Sequence, residues 1–285
     1  MDSHQWKAVY QAIRSADRTV PRQGRRKRYS DVFIVAMYIW SVGHDRPLCW
    51  ACDRRNYASC FRPRQLPSIS QFCKRIKTER CDAMLQRVHE ELAGIAWMTE
   101  LSFLDARALR VGSHSKDADA KSGPVSGGMA KGYKLHAWAT QDGRIPVWSV
   151  TSLNASEKTV AGELLRYQWP GGLLLADSNY DAGWLYDRVD AHGGQLITPL
   201  PANVGGGHRP QSTPRLRAAS FWSGLGRYVY RDRLAIERFF AHQSAFGGGL
   251  APLPAWVRTL PRVRRWVGAK LIIYHARLRV RRAVS

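Results

Sequence analysis

Gly171-Gly172-Leu173-Leu174-Leu175-Ala176-Asp177-Ser178-Asn179-Tyr180-Asp181 decides how this chain is read. Two glycines open a run of three leucines, the pattern of a short strand buried on both faces. The run stops on an acid, Asp177, where another apolar residue would continue the pattern. Asn179 tolerates a left-handed turn, and Asp181 suits the N-cap of a helix carrying Trp184, Leu185, Tyr186 and Val189 at helical spacing. Asp177 therefore stands at the carboxyl end of a central strand, where open α/β sheets place their sites. The plainer alternative for Asp177 alone is a capping or loop aspartate.

Working outward, the pattern predicts a strand over 101–105, then a loop over 114–129 rich in Gly, Ser, Lys and Asp. Strands follow over 134–140 and 145–151, joined at Asp142-Gly143, a strong hairpin signal. A helix over 158–168, the central strand, its helix to about residue 191 and a strand over 195–198 complete the sheet. Pro199 to Pro214 reads as loop, a long helix as covering about 228–245, and a last basic helix as running over 261–282. This order gives a mixed sheet with an antiparallel start and flanking helices, an α/β arrangement that suits a ribonuclease-H-like fold.

Upstream the pattern is all-helical. Helices are expected over 1–20, 32–42, from Ser68 onward with Ile69, Phe72, Cys73 and Ile76 as the apolar stripe, and 82–93. The helix after Ser68 carries Lys74, Arg75 and Lys77 on its other side, as a helix presented to a DNA groove would. A solvated basic face is the plainer reading. The expected division is a helical DNA-binding region over 1–98 and a catalytic domain over 99–285.

The totals bound the partner. Forty-four Lys and Arg stand against 22 Asp and Glu, a net charge of +22. A surplus spread along the whole chain points to a polyanion, most simply nucleic acid, with a membrane surface as the rival. No apolar run approaches the roughly 18 residues that would span a bilayer. The N-terminus lacks an apolar signal core, so a cytoplasmic location is expected. Cys49, Cys52, Cys60, Cys73 and Cys81 include one Cys-x-x-Cys pair, but no second pair completes a zinc pattern, and reduced thiols are the better reading.

Three acids occupy special places: Asp105 closing the first strand, Asp177 closing the central one, and Glu237 in the late helix among Ile236, Phe239 and Phe240. For Glu237 the competing reading is a surface ion pair with Arg233 or Arg238. Converging carboxylates repel, and divalent cations offset that repulsion. Hard oxygen donors suit Mg²⁺, with Mn²⁺ as a substitute. Two such ions about 3.5–4 Å apart assist in-line displacement at phosphorus.

These residues resemble a bacterial insertion-sequence transposase of the DDE type. Tyr230, Arg233 and Glu237 match the first three positions of that family's tyrosine-x2-arginine-x3-glutamate-x6-lysine signature, whereas Ser244 stands at the lysine position. Phe103-Leu104-Asp105-Ala106 is similar to the first catalytic motif and Ala176-Asp177-Ser178-Asn179-Tyr180-Asp181 to the second. Lys131-Gly132-Tyr133-Lys134-Leu135-His136 and Asn154 to Glu157 resemble further family segments. The resemblance implies a ribonuclease-H-like domain in which Asp105, Asp177 and Glu237 are catalytic and hold two Mg²⁺ ions. It implies DNA cleavage at element ends followed by strand transfer into target DNA. Tyr230, Arg233, Arg238, Lys131 and Lys134 would contact DNA, joined by Arg75 and Lys77 from the helical region. Synapsis of two inverted-repeat ends implies a homodimer on DNA. The competing functions are a metal-dependent nuclease that cuts without joining and a catalytically inactive DNA-binding derivative, the latter suggested by Ser244.

Overall fold

The computed structural model describes residues 1–22, 27–57, 61–94, 100–166, 171–199, 212–245, 250 and 253–283, with the side chains of residues 235, 239 and 242–245 outside that description. Arg25, Arg26, Cys60 and the stretch Gly205-Gly206-Gly207 lie outside the described residues. Two compact units result, Met1–Gly94 with Ala245–Ser285, and Ile95–Ser244.

The first unit begins with α1 (Ser3–Thr19), α2 (Asp31–Gly43), α3 (Ile69–Arg75) and α4 (Glu79–Ala93). Three of these four helices start at a capping side chain. Asp2 accepts from the Gln5 amide, Ser30 from that of Phe33, and Ser68 forms a reciprocal capping box with Gln71. In α2 every residue from Ile34 to Val42 is buried, so this helix is the unit's core. Buried Arg80 pairs with Asp17 at 2.7 Å and with Asp31 at 2.9 Å, and Arg75 also reaches Asp31. The exposed cations of the α3 region are Lys74 and Lys77.

The second unit holds the sheet: β1 (Leu101–Arg110), β2 (Lys121–Val125), β3 (Gly128–Thr140), β4 (Val147–Ser152), α5 (Glu157–Leu164), β5 (Gly172–Ala176), α6 (Gly183–Asp190) and β6 (Gly194–Ile197). A helical run follows, with α7 (Thr213–Phe221), a π turn over Trp222–Gly226, α8 (Arg227–Tyr230), a 3₁₀ turn over Arg231–Arg233, and α9 (Leu234–Ala245). The strand order is β2-β3-β1-β5-β6, with β4 also on β3. β3 is antiparallel to β1, while β5 is parallel to β1 and β6 to β5. This is the expected ribonuclease-H-like mixed sheet with flanking helices.

The last helix, α10 (Leu260–Arg282), packs with α1, α2 and α4 in the first unit. Its middle, Val263 with Trp266 through Ala276, is buried on all sides, so it needs a sheath of helices rather than one sheet face. Lys270 of α10 pairs with Asp45 and lies 5.0 Å from the Trp266 ring, and Arg265 pairs with Asp82 at 2.6 Å. Contacts group this helix with the first unit, whereas the division expected at residue 98 places it with the sheet. Four local expectations are corrected. Residues 121–125 and 128–129 are strand, not loop, and β3 starts six residues before the expected 134. β1 runs five residues beyond Asp105, to Arg110. The α6 N-cap is Ala182, while Asp181 is held by Arg215 in a two-point pair at 2.8 Å. Asn179 is not left-handed; among the described residues the positive-φ ones other than glycine are Asp45 and Thr259. Among the described residues no helix is long and apolar enough to cross a membrane.

Gly132 shows why a glycine sits in the middle of this sheet. It pairs with Arg110 on one side and Lys121 on the other, and a Cβ there would collide with the Leu109 carbonyl oxygen. Backbone cannot yield as a flexible side chain does. Gly132→Ala is expected to lower the stability of the chain by about 1–3 kcal/mol in urea unfolding, the usual cost of overpacking; an unchanged midpoint would contradict this packing.

Candidate active site

The sheet register brings two acids together. β1 and β5 pair in parallel up to Leu104 opposite Ala176, and β5 then ends. Asp105 and Asp177 are the next residues on each strand. β1 continues along β3 as far as Arg110 but has lost its neighbour on the β5 side. A notch opens at this point, and the two carboxyl groups sit in it.

Local bonds aim them. The Asp177 carboxylate accepts from the Asn179 amide at 2.8 Å and caps the 3₁₀ turn Ser178–Tyr180. Asp105 accepts from the Ala106 amide at 2.8 Å. The Tyr180 side chain is fully buried, and burial followed by the fields of Glu157, Asp105 and Asp177 keeps its phenol firmly protonated.

The third acid comes from the late helical run. Arg107, two residues beyond Asp105, donates to the Phe240 carbonyl at 2.6 Å and so ties α9 to β1. That contact joins residues 133 apart in sequence. It brings Arg233 to the notch, where its Nη2 lies 3.4 Å from Asp105 Oδ2 and 3.9 Å from Asp177 Oδ2, while Nη1 lies 4.0 Å from Glu237 Oε1. All three sequence-predicted acids thus converge on one guanidinium. The Asp105 and Asp177 side chains are 15% and 27% exposed, whereas Glu237 is 59% exposed and stands at the rim. Tyr230 backs Arg233, with its ring centroid 5.8 Å from the guanidinium carbon.

A fourth acid escaped the sequence reading. Glu157, in the first turn of α5, is paired at 2.7 Å with buried Lys134 of β3. Its field reaches Asp105, Asp177 and Tyr180. The Ser156 N-cap signal locates the start of α5 but not the direction in which Glu157 faces. Lys134, expected on the DNA, is therefore off the surface. Arg75 likewise spends its charge on Asp31 and the Tyr29 carbonyl. The Lys131 ammonium is half-buried and donates to the Ser115 carbonyl at 2.6 Å, while Arg238 and Lys77 are exposed. The Ser244 side chain lies outside the described residues.

Burial raises the Asp105 carboxyl to about 6; Arg233 opposes the shift and Asp177 and Glu157 add to it. Burial also raises Asp177, against its bond from Asn179 and the field of Arg233. The donor chemistry suits a hard divalent cation: carboxylates only, partly desolvated and in need of positive charge. The site is arranged around the guanidinium, however. Among the described residues no three His, Cys, Asp or Glu side chains are gathered as an ion would require.

The raised carboxyl has a consequence for stability. Asp105 binds its proton more tightly in the folded chain than in the unfolded one, so its contribution is full below pH 3.8 and is lost as pH rises toward about 6. In metal-free buffer Asp105→Asn is expected to flatten the fall in unfolding free energy across that window. Identical pH profiles for the two proteins would contradict a buried, protonatable Asp105.

A family model described as a transposase DDE domain matches residues 96–274, which include β1, β5 and the helical run that bears Arg233 and Glu237. No curated protein matches the chain. The match covers well over half of the sequence, and the chain belongs to the family of transposases that carry the DDE domain.

Proposed function

We propose that this transposase cuts DNA at the ends of an insertion sequence and joins the freed 3′ ends to target DNA. The observation that carries this reading is the convergence of Asp105, Asp177 and Glu237 on a single positive charge. Acids drawn from the middle of one strand, the end of another and a distant helix have no common structural task. Each could be satisfied more simply by its own surface partner.

In this reading Asp105, Asp177 and Glu237 would hold Mg²⁺ or Mn²⁺. The ions would supply Lewis-acid activation of the attacking oxygen and stabilisation of the leaving one. The chain's own residues do the rest. The notch between β1 and β5 fixes the two aspartates on rigid backbone, which positions the phosphodiester against them. Glu237, at the exposed rim, faces the side from which DNA arrives. Tyr230, Arg233 and Arg238 bind phosphates next to the cut, with Arg233 offering a two-pronged donor that matches a phosphate. Lys131 and Lys77 add backbone contacts, Lys77 from the helical unit. The net charge of +22 supplies the long-range attraction for DNA. Two copies, each holding one end, would form the synaptic homodimer, acting in the cytoplasm.

The test separates chemistry from binding. With a DNA fragment carrying the element's own end, Asp177→Asn is expected to reduce cleavage by more than the roughly 10–100-fold typical of outer-shell changes at metal sites. End binding in a gel-shift assay should persist. Equal cleavage by the variant would refute carboxylate catalysis. Cleavage without joining of precut ends, by the unaltered protein, would favour a nuclease.

A further inference from the structure

We infer that Arg233 is the resident counter-ion of the three carboxylates, filling the place of a divalent cation in the free protein and giving it up when the ion binds. This rests on the reading of Asp105, Asp177 and Glu237 as the ion's ligands and adds a role for the residue between them.

The contacts of Arg233 are those of a placeholder rather than a permanent brace. Its distances to the acids, 3.4, 3.9 and 4.0 Å, are all longer than a charge-assisted hydrogen bond of about 2.7–2.9 Å. Its Nε is buried and has no hydrogen-bond partner among the described residues. Two other arginines show what a brace looks like in this chain. Arg215 grips Asp181 with two bonds of 2.8 Å. Arg80 donates to Asp17 and Asp31 and to the carbonyls of Pro21 and Val20. Arg233 is as enclosed as Arg215, each side chain being 17% exposed, yet its side-chain bond goes to Tyr230 and its ion pairs with the acids are all longer than that of Arg215.

The backbone gives it room to leave. Arg233 closes the 3₁₀ turn between α8 and α9, and the π turn over Trp222–Gly226 lies one short helix upstream. Gly224 in that turn has φ −111° and ψ −114°, which breaks the helical path. Mid-helix 3₁₀ and π turns are places where a helix changes register at low cost. A guanidinium and a divalent ion cannot share one cluster of carboxylates, because they repel at close range. Ion binding therefore expels the guanidinium past Tyr230, where a DNA phosphate can accept its two-pronged donor.

The experiment measures Mn²⁺ binding to the full-length, DNA-free protein by electron paramagnetic resonance of the free ion. Arg233→Gln is expected to bind Mn²⁺ about tenfold more tightly than the unaltered protein, the order expected on removing one screened like charge about 4 Å away. Arg233→Lys keeps the charge and should bind as the unaltered protein does. Equal or weaker binding by Arg233→Gln overturns the counter-ion role. If Asp177→Asn abolishes Mn²⁺ binding in that case, the reading of the carboxylates stands without it. Binding that survives Asp177→Asn overturns both. A second measurement needs no variant: phenylglyoxal modification of Arg233, located by mass spectrometry, should rise when Mg²⁺ is added. Unchanged labelling overturns the proposal.

Discussion

The structure of the catalytic unit depends on one electrostatic constraint: two aspartates are held side by side where a parallel strand pair ends. Burial raises the proton affinity of both, the field of Asp177 adds to that of Asp105, and the field of Glu157 adds to both. The chain answers with a positive charge placed among them. The register of β1 and β5, the tether from Arg107 to the Phe240 carbonyl and the turn that carries Arg233 all serve this meeting of charges. Had β5 extended two residues further, the notch would have been filled by ladder hydrogen bonds. Had α9 lacked its tether, Glu237 would be an ordinary surface acid.

The sheet supplies rigidity in layers. β1 is flanked by both β3 and β5 over Ser102, Phe103 and Leu104, and from Asp105 onward by β3 alone. One edge of the first aspartate is thus locked in a ladder and the other opens on the site. Behind it, the buried Lys134–Glu157 pair sets a second plus–minus couple within the field of the acids. That pair ties β3 to the start of α5. Lys158, the next residue, donates to the Asp181 carbonyl at 3.0 Å and so pins the loop after Asp177.

Much of this was legible in the sequence because the signals were local. The leucine run ending in an acid, the Asp-Gly hairpin and the Ser caps each speak through a few neighbouring residues. Glu237 stands out through its apolar neighbours Ile236, Phe239 and Phe240 and through the resemblance of Tyr230, Arg233 and Glu237 to the family signature. The errors fall where long-range partners decide. The Gly, Ser, Lys and Asp content made β2 look like loop, yet among the described residues it pairs with β3 as an edge strand, where Pro124 is tolerated. Residues 261–282 read correctly as a helix, but nothing within them says which unit will cover an all-round apolar surface. Asp181, Lys134 and Arg75 were given the roles their neighbours suggest, whereas Arg215, Glu157 and Asp31 claim them across 34, 23 and 44 residues. The exchange of Arg107 with the Phe240 carbonyl left no trace in the local pattern.

The most direct measurement is X-ray diffraction at the manganese absorption edge from crystals of the protein equilibrated with Mn²⁺. The account predicts anomalous density between the Asp105 and Asp177 carboxylates, with Glu237 drawn in and the guanidinium of Arg233 moved aside. Manganese density elsewhere on the molecule, with Arg233 still seated among the three acids, would contradict it.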